Sequence, residues 1–215
     1  GAPPPRICLV LGSSVAAGAG ATDPERLGWA YKLAAALEAK GVRTANVGVG
    51  GTDVRFWTEV FSKRPGPQAD HVAKVVMPVL AKASVVVMSL SLANEGLAQA
   101  DSSNFIAAVE RHYTDGLKQI TKNMREGMRA GARLVVAGPY PNSDYEEVHL
   151  RSLERVREAV RSWEHVDHVL DFLKEPVHDG RGGWHRGIAA DPGHPNDRGH
   201  ALMFECVDIA GFLGD

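Results

Sequence analysis

Ile7-Cys8-Leu9-Val10-Leu11-Gly12 decides how this chain is read. Consecutive apolar residues stop at a glycine, with no polar residue alternating among them. A strand with one face in water alternates, whereas an unbroken run suits a strand covered on both faces, as in a parallel sheet. The next segment, residues 27–40, changes period. Leu27, Ala30, Tyr31, Ala34 and Leu37 recur at helical spacing, and Gly41 is placed to cap the C-terminus. Residues 42–49 then predict a second, weaker strand that runs into Gly48, Gly50 and Gly51.

The alternation continues along the chain. Ser84-Val85-Val86-Val87-Met88-Ser89-Leu90 is the clearest strand, and residues 133–137 and 166–173 predict two more. Helices are expected over 70–82, with Pro78 as a kink or break, over 104–130 and over 146–163. In the last of these, Arg151, Arg155, Arg157 and Arg161 interleave with Glu154 and Glu158, which reads as an ion-paired, solvated face. Residues 174–195 read as a long Gly-rich loop. Asn196 or Asp197 can cap a final helix running to about residue 213. Strand then helix, repeated five times, implies right-handed crossovers. The expected fold is α/β: a three-layer αβα sandwich around a five-stranded parallel sheet, doubly wound. Residues 7–215 are expected to form a single domain, with 1–6 as a linker stub.

The 215 residues suffice for a sizeable core. With 24 Lys and Arg against 26 Asp and Glu, the chain lacks the basic excess of a general nucleic-acid binder. No apolar run approaches the roughly 20 residues of a membrane span. Gly1-Ala2-Pro3-Pro4-Pro5-Arg6 is not a signal-peptide pattern, and an earlier targeting segment stays open, as do the compartment and the oligomeric state. Cys8 and Cys206 read as free, packed thiols, although two cysteines leave a disulfide open.

In such a sheet, ligands bind beyond the carboxyl ends of the strands. The first such segment, Gly12-Ser13-Ser14-Val15-Ala16-Ala17-Gly18, fits neither phosphate-binding spacing: no Gly-Lys-Ser or Gly-Lys-Thr follows, and the third position of a dinucleotide fingerprint is Ser14. A serine at the mouth of a buried strand remains, either as a helix cap or as a nucleophile. A nucleophile needs a base, and Asp191-Pro192-Gly193-His194-Pro195-Asn196 places an acid three residues before a histidine. His185, Asp191, His194 and His200 also fall close together, but their spacing fits no standard zinc frame, so no metal is expected.

Four blocks together carry a resemblance. Gly12-Ser13-Ser14, Asn46-Val47-Gly48-Val49-Gly50-Gly51, Ala93-Asn94-Glu95 and Asp191-Pro192-Gly193-His194-Pro195-Asn196 each follow a predicted strand. In this order they resemble the blocks of the SGNH/GDSL hydrolase family, over residues 7 to about 212. The resemblance implies the flavodoxin-like SGNH hydrolase fold. It also implies Ser14 as nucleophile, His194 as base and Asp191 as the acid that orients it. Ser14, Gly51 and Asn94 would form the oxyanion hole. Each role suits its residue: Gly51 lets the backbone approach an oxygen closely, and Asn94 offers an uncharged N–H donor.

Two positions depart from the family pattern. Ser13 stands where aspartate is usual, which leaves open whether Ser13 or Ser14 faces the cleft. Leu92-Ala93-Asn94-Glu95 replaces the usual Gly-x-Asn-Asp. Asp197 is a rival for the acid role but better suits a helix cap. Val15, Asp53, Tyr140, Trp184 and His185 are expected near the substrate, with Trp184 equally suited to packing the loop down. The reaction implied is hydrolysis of short-chain carboxylic esters through an acyl-enzyme. The implied partner is a small-molecule or carbohydrate ester, including acetyl esters of sugars, with no metal or organic cofactor. An acyltransferase with the same residues, and a catalytically silent carbohydrate-binding module on the same fold, are the alternatives.

Overall fold

The computed structural model describes residues 6–214. Apart from Arg6, the expected stub lies outside them. Arg6 itself opens the first strand, β1 (Arg6–Gly12), one residue ahead of the expected boundary. The other strands of the main sheet are β2 (Val42–Gly48), β3 (Val85–Ser89), β4 (Arg133–Ala137) and β5 (His168–Leu170). They run parallel in the order β2-β1-β3-β4-β5. The five-stranded parallel α/β sandwich read from the sequence is therefore the observed fold.

Alternation along the strands sends side chains to two separate cores. Leu9, Leu11, Val86 and Met88 face one side, covered by α3 (Val54–Val60), α4 (Pro67–Leu80), α5 (Ser103–Gly127) and α6 (Glu147–Arg161). Cys8, Val10, Val85 and Val87 face the other side. That side is covered by α2 (Trp29–Glu38), α7 (Asp197–Glu205) and α8 (Ile209–Leu213). Burial on both sides is why these strands read as continuous apolar runs.

Several boundaries move for local reasons. The first expected helix splits at Gly28 into α1 (Pro24–Leu27) and α2. Helix α3 was not read from the sequence. It is a short segment capped by Asp53, whose carboxylate accepts the Phe56 N–H at 2.8 Å. It packs on α5 at Gly116, where a Cβ would come within 2.8 Å of Val54. Pro78 does not divide α4. The fifth strand shrinks to His168–Leu170 because only Val135, Val136 and Ala137 pair with it. The expected loop 174–195 contains a two-stranded antiparallel ribbon, β6 (Ala189–Asp191) and β7 (His194–Pro195). The final helix is two helices, α7 and α8. The arginines of α6 are ion-paired, but only in part with the interleaved glutamates: Arg157 and Arg161 meet Glu158, whereas Arg151 pairs with Glu147 and Arg155 reaches across to Glu110 on α5. Cys8 and Cys206 are free, and burial pushes the Cys8 thiol up to about 12. Among the described residues no helix is long and apolar enough to cross a membrane.

Candidate active site

The turn after β1 is tied to both neighbouring strands. The Gly12 carbonyl accepts from Val49 N–H at 2.9 Å, and Ser13 N–H donates to the Ser89 carbonyl at 3.0 Å. Gly12 has no room for a side chain, since a Cβ would run into the Ser89 carbonyl oxygen. Asn46 adds a third tie: its Nδ2 donates to the Ala16 carbonyl at 2.8 Å and its Oδ1 accepts from Gly48 N–H at 3.1 Å. The backbone pinned in this way buries Ser13 completely, and the Ser13 Oγ has no hydrogen-bond partner. Ser14, the next residue, is partly exposed and meets the histidine. Its Oγ lies 2.9 Å from His194 Nε2.

His194 opens β7, the second strand of the ribbon, and is held by Asp191 opposite it on β6. Both carboxylate oxygens of Asp191 lie 2.9 Å from His194 Nδ1. Oδ1 also accepts the backbone N–H groups of Gly193 at 2.8 Å and His194 at 3.0 Å. Burial alone would push the Asp191 carboxyl up, but the bond from the His194 ring and these N–H groups hold it below the ordinary aspartate value. An ionised carboxylate only accepts, so Nδ1 of the neutral ring carries the proton and Nε2 presents a lone pair to the Ser14 hydroxyl. Asp197 is engaged elsewhere: it accepts from Thr22 N–H and from the Thr22 hydroxyl, each at 2.7 Å. Asn196 is the cap of α7, through Gly199 N–H at 3.0 Å.

His200 also orders this region, a role that the sequence did not signal. It is fully buried. Its Nδ1 accepts from Trp29 N–H at 3.2 Å, so its Nε2 carries the proton and donates to the Ala19 carbonyl at 2.9 Å. The turn bearing Ser14 is thereby fastened to α7, directly after His194. Burial pushes the His200 pKa below the ordinary histidine value, which suits a neutral ring in this place.

Gly51 and Asn94 approach from the ends of β2 and β3. Gly51 has φ +73°, in a turn closed by Thr52 N–H on the Val49 carbonyl at 3.4 Å. A Cβ on the neighbouring Gly50 would lie 4.0 Å from Ser14 Cβ, so this loop borders the serine. Asn94 Nδ2 donates to the Thr52 carbonyl at 2.7 Å. An amide nitrogen has two hydrogens, and this bond uses one. Beside Gly50 and Gly51 opens a groove of about 720 Å³, whose walls include Val49, Asp53, Phe56, His71 and Val72. Phe56, on the unforeseen α3, and His71 and Val72 on α4 carried no signal in the sequence that would place them here.

A model of the GDSL-like lipase/acylhydrolase family matches residues 10–202. The chain belongs to that family. It is a carboxylic ester hydrolase. No match is found among curated protein sequences. The fold of this GDSL-family hydrolase is similar to that of a lipase from a goat rumen metagenome, with TM-score 0.75 and 15% identity, covering 96% of this chain and 98% of that one. It is also similar to a mutant acetyl-xylooligosaccharide esterase from Geobacillus Stearmophilus, with TM-score 0.62 and 15% identity, covering 98% and 94%. A third is a two-domain esterase active on acetylated mannans, with TM-score 0.58 and 18% identity, covering 97% of this chain and 48% of that one.

Three expected substrate neighbours in this hydrolase are not at the surface. Val15 is 1% exposed and packs into the α2 side of the core. Tyr140 is equally buried, stacked on Phe172 with its hydroxyl bonded to Ser89 Oγ. An apolar ring needs the core more than the cleft once a buried partner satisfies its hydroxyl. Trp184 is the anchor rather than a pocket wall: it is buried, and its Nε1 donates to the Pro192 carbonyl at 3.1 Å, next to Asp191. Asp53 does line the groove while capping α3, and His185 is exposed on the loop ahead of β6. Among the described residues, no three His, Cys, Asp or Glu side chains are grouped to hold a metal ion.

Proposed function

We propose that this family member is a serine esterase in which Ser14, His194 and Asp191 act as a triad. The 2.9 Å contact between Ser14 Oγ and His194 Nε2, backed by Asp191 on Nδ1, carries this reading. His194 accepts the hydroxyl proton as Ser14 Oγ bonds to the ester carbonyl carbon. The resulting oxyanion is met by Ser14 N–H, Gly51 N–H and the second hydrogen of Asn94 Nδ2. His194 then passes the proton to the leaving alcohol as its C–O bond breaks. His194 then takes a proton from water as the water oxygen bonds to the acyl carbon, and passes it to Ser14 Oγ as the acyl C–Oγ bond breaks, releasing the acid and restoring the Ser14 hydroxyl. Residues 7–215 act in this reading as a single catalytic unit.

The substrate is an ester with a short acyl group, and acetylated carbohydrates are the natural class. The acetyl-xylooligosaccharide and acetylated-mannan esterases among the structural neighbours support this. The groove supports a placement for the acyl group. His194 arrives with α7 on one side of the sheet, whereas α3 and α4 line the groove on the other. The leaving oxygen must stay within reach of His194 Nε2. The acyl group therefore points away from His194, toward Gly50 and the groove.

A fluorophosphonate probe tests the site. It should label one serine, and peptide mapping should find the adduct on Ser14; an adduct elsewhere, or none, refutes the assignment. Product analysis on acetylated oligosaccharides, with and without added acceptor sugar, then separates release of acetate from transfer.

A further inference from the structure

We propose that Glu95 is a positioning residue for the oxyanion hole, holding the loop that bears Gly51 against the loop that bears Asn94. This deepens the reading above and rests on it. Asn94 and Glu95 are adjacent, and between them they grip the loop after β2 on both sides of Asp53. Asn94 Nδ2 donates to the Thr52 carbonyl at 2.7 Å, and Glu95 Oε1 accepts from the Val54 N–H at 2.8 Å. The second carboxylate oxygen, Oε2, lies 3.4 Å from His112 Nε2 on α5. The clasp is thereby anchored to a long helix rather than left as one loop leaning on another.

The chemistry of Glu95 is unusual for a loop carboxylate. Its side chain is only 2% exposed. Removing a carboxylate from water costs free energy unless bonds replace its hydration. Burial pushes the Glu95 carboxyl above its ordinary value, and the nearby Asp53 charge adds to this, while the Val54 N–H and His112 oppose it. Asp53 already caps α3 through Phe56 N–H, so Glu95 takes a different donor of the same helix start. Two acids at one short helix start are more than capping needs.

The consequence falls on the proposed oxyanion donors. The Thr52 carbonyl orients the Asn94 amide, and Thr52 directly follows Gly51. If Val54 is released, Thr52 and Gly51 shift with it, and both donors lose their aim together. Displacement of a reacting geometry by about 1 Å costs on the order of a hundredfold in rate.

Steady-state hydrolysis of an aryl acetate, with thermal melts to score folding, tests the proposal. Glu95→Ala should lower kcat by about ten- to a hundredfold with KM little changed. Glu95→Gln keeps an oxygen for the Val54 N–H and should restore most of kcat. In the Asn94→Ala/Glu95→Ala double variant, the Glu95 change should cost much less than it does alone, because one donor that it aims is already gone. Should Glu95→Ala fail to fold, Glu95→Met fills the space without an acceptor and takes its place. Unchanged kcat, equal losses in the Gln and Ala variants, or full additivity would each overturn the proposal. Wild-type activity that survives Ser14→Ala would instead refute the site reading itself, so the two failures are distinguishable.

Discussion

Ser14 Oγ and His194 Nε2 stand 2.9 Å apart although 180 positions separate them in the chain. The contact forms because each residue is fixed by its own neighbours. Ser14 sits on a turn tied to the ends of β2 and β3, and His194 sits on a ribbon whose hairpin is closed by Asp191. His200 and the Thr22–Asp197 pair then bring the two segments together.

Removing the proposed nucleophile should abolish turnover while sparing the fold. Ser14→Ala deletes one oxygen, partly exposed and bonded to His194, so little packing is lost. Loss of a nucleophilic serine costs about a million-fold in kcat. The measurement is aryl acetate hydrolysis alongside a thermal melt, and Ser13→Ala is the comparison. Because Ser13 is buried away from His194, its variant should keep activity within the same order as wild type.

Asp191→Asn should cost less than the loss of Ser14. The amide can no longer hold the Nδ1 proton of His194 in place, which favours the wrong tautomer, a loss of roughly ten-thousandfold where the carboxylate is buried. Here the Asp191 side chain is 52% exposed, so water can partly substitute, and a loss of about a hundred- to a thousandfold is expected. A kcat equal to wild type would show that Asp191 does not act through His194.

Gly20 should be intolerant of any side chain. Its φ is +92°, and a Cβ would run into the Pro195 carbonyl and come within 3.0 Å of His194 Cβ. Gly20→Ala should push the histidine away from Ser14, lowering kcat well beyond any loss of stability. Gly41→Ala is the control: it has a similar positive φ of +74° but open space around it. It should cost only about 1 kcal/mol of stability and leave kcat unchanged.

Stability should fall on mild acidification. Burial pushes His200 below the ordinary histidine value, and it does the same for His165, His168 and His178. Such rings bind protons more readily when unfolded. Their contribution is therefore complete above the unfolded value near 6.5 and is lost as pH falls from there toward the folded values. Glu95, raised by burial, has the opposite sign, but its window opens from the ordinary glutamate value, lower in pH. The Tm should drop between about pH 7.5 and about pH 5.5, and less steeply in His200→Gln. A Tm independent of pH over this range would contradict the buried, neutral assignment.

Acyl length should be read by the groove. Across nitrophenyl acetate, butyrate, hexanoate and octanoate, Phe56→Ala should change the ratios of kcat/KM between chain lengths more than it changes acetate hydrolysis. A methylene buried in the groove is worth about 0.8 kcal/mol, or nearly fourfold per carbon. If instead the variant alters only the dependence on the alcohol, the groove holds the leaving group and the placement of the acyl chain is wrong.

The amino-acid sequence by itself determined the layered parallel sheet and the blocks of residues at its carboxyl edge. Apolar runs and helical periods are local patterns, set within a few residues by whether one face or both faces of an element are buried. Gly12, Gly51 and Asn94 were legible because they lie at or just after strand ends, and Asp191 and His194 because an acid stands three residues before a histidine, the four blocks coming in a recognisable order. Tertiary structure alone decided that Ser14 rather than Ser13 meets the histidine, since that choice depends on how β2 and β3 pin the turn. It also decided that Val15, Tyr140 and Trp184 are core and anchor residues, that α3 exists, and that Glu95 meets the Val54 N–H and His200 the Ala19 carbonyl. Each of these depends on partners far along the chain, and burial or a hydrogen bond between distant segments leaves no period or spacing in the sequence around either one.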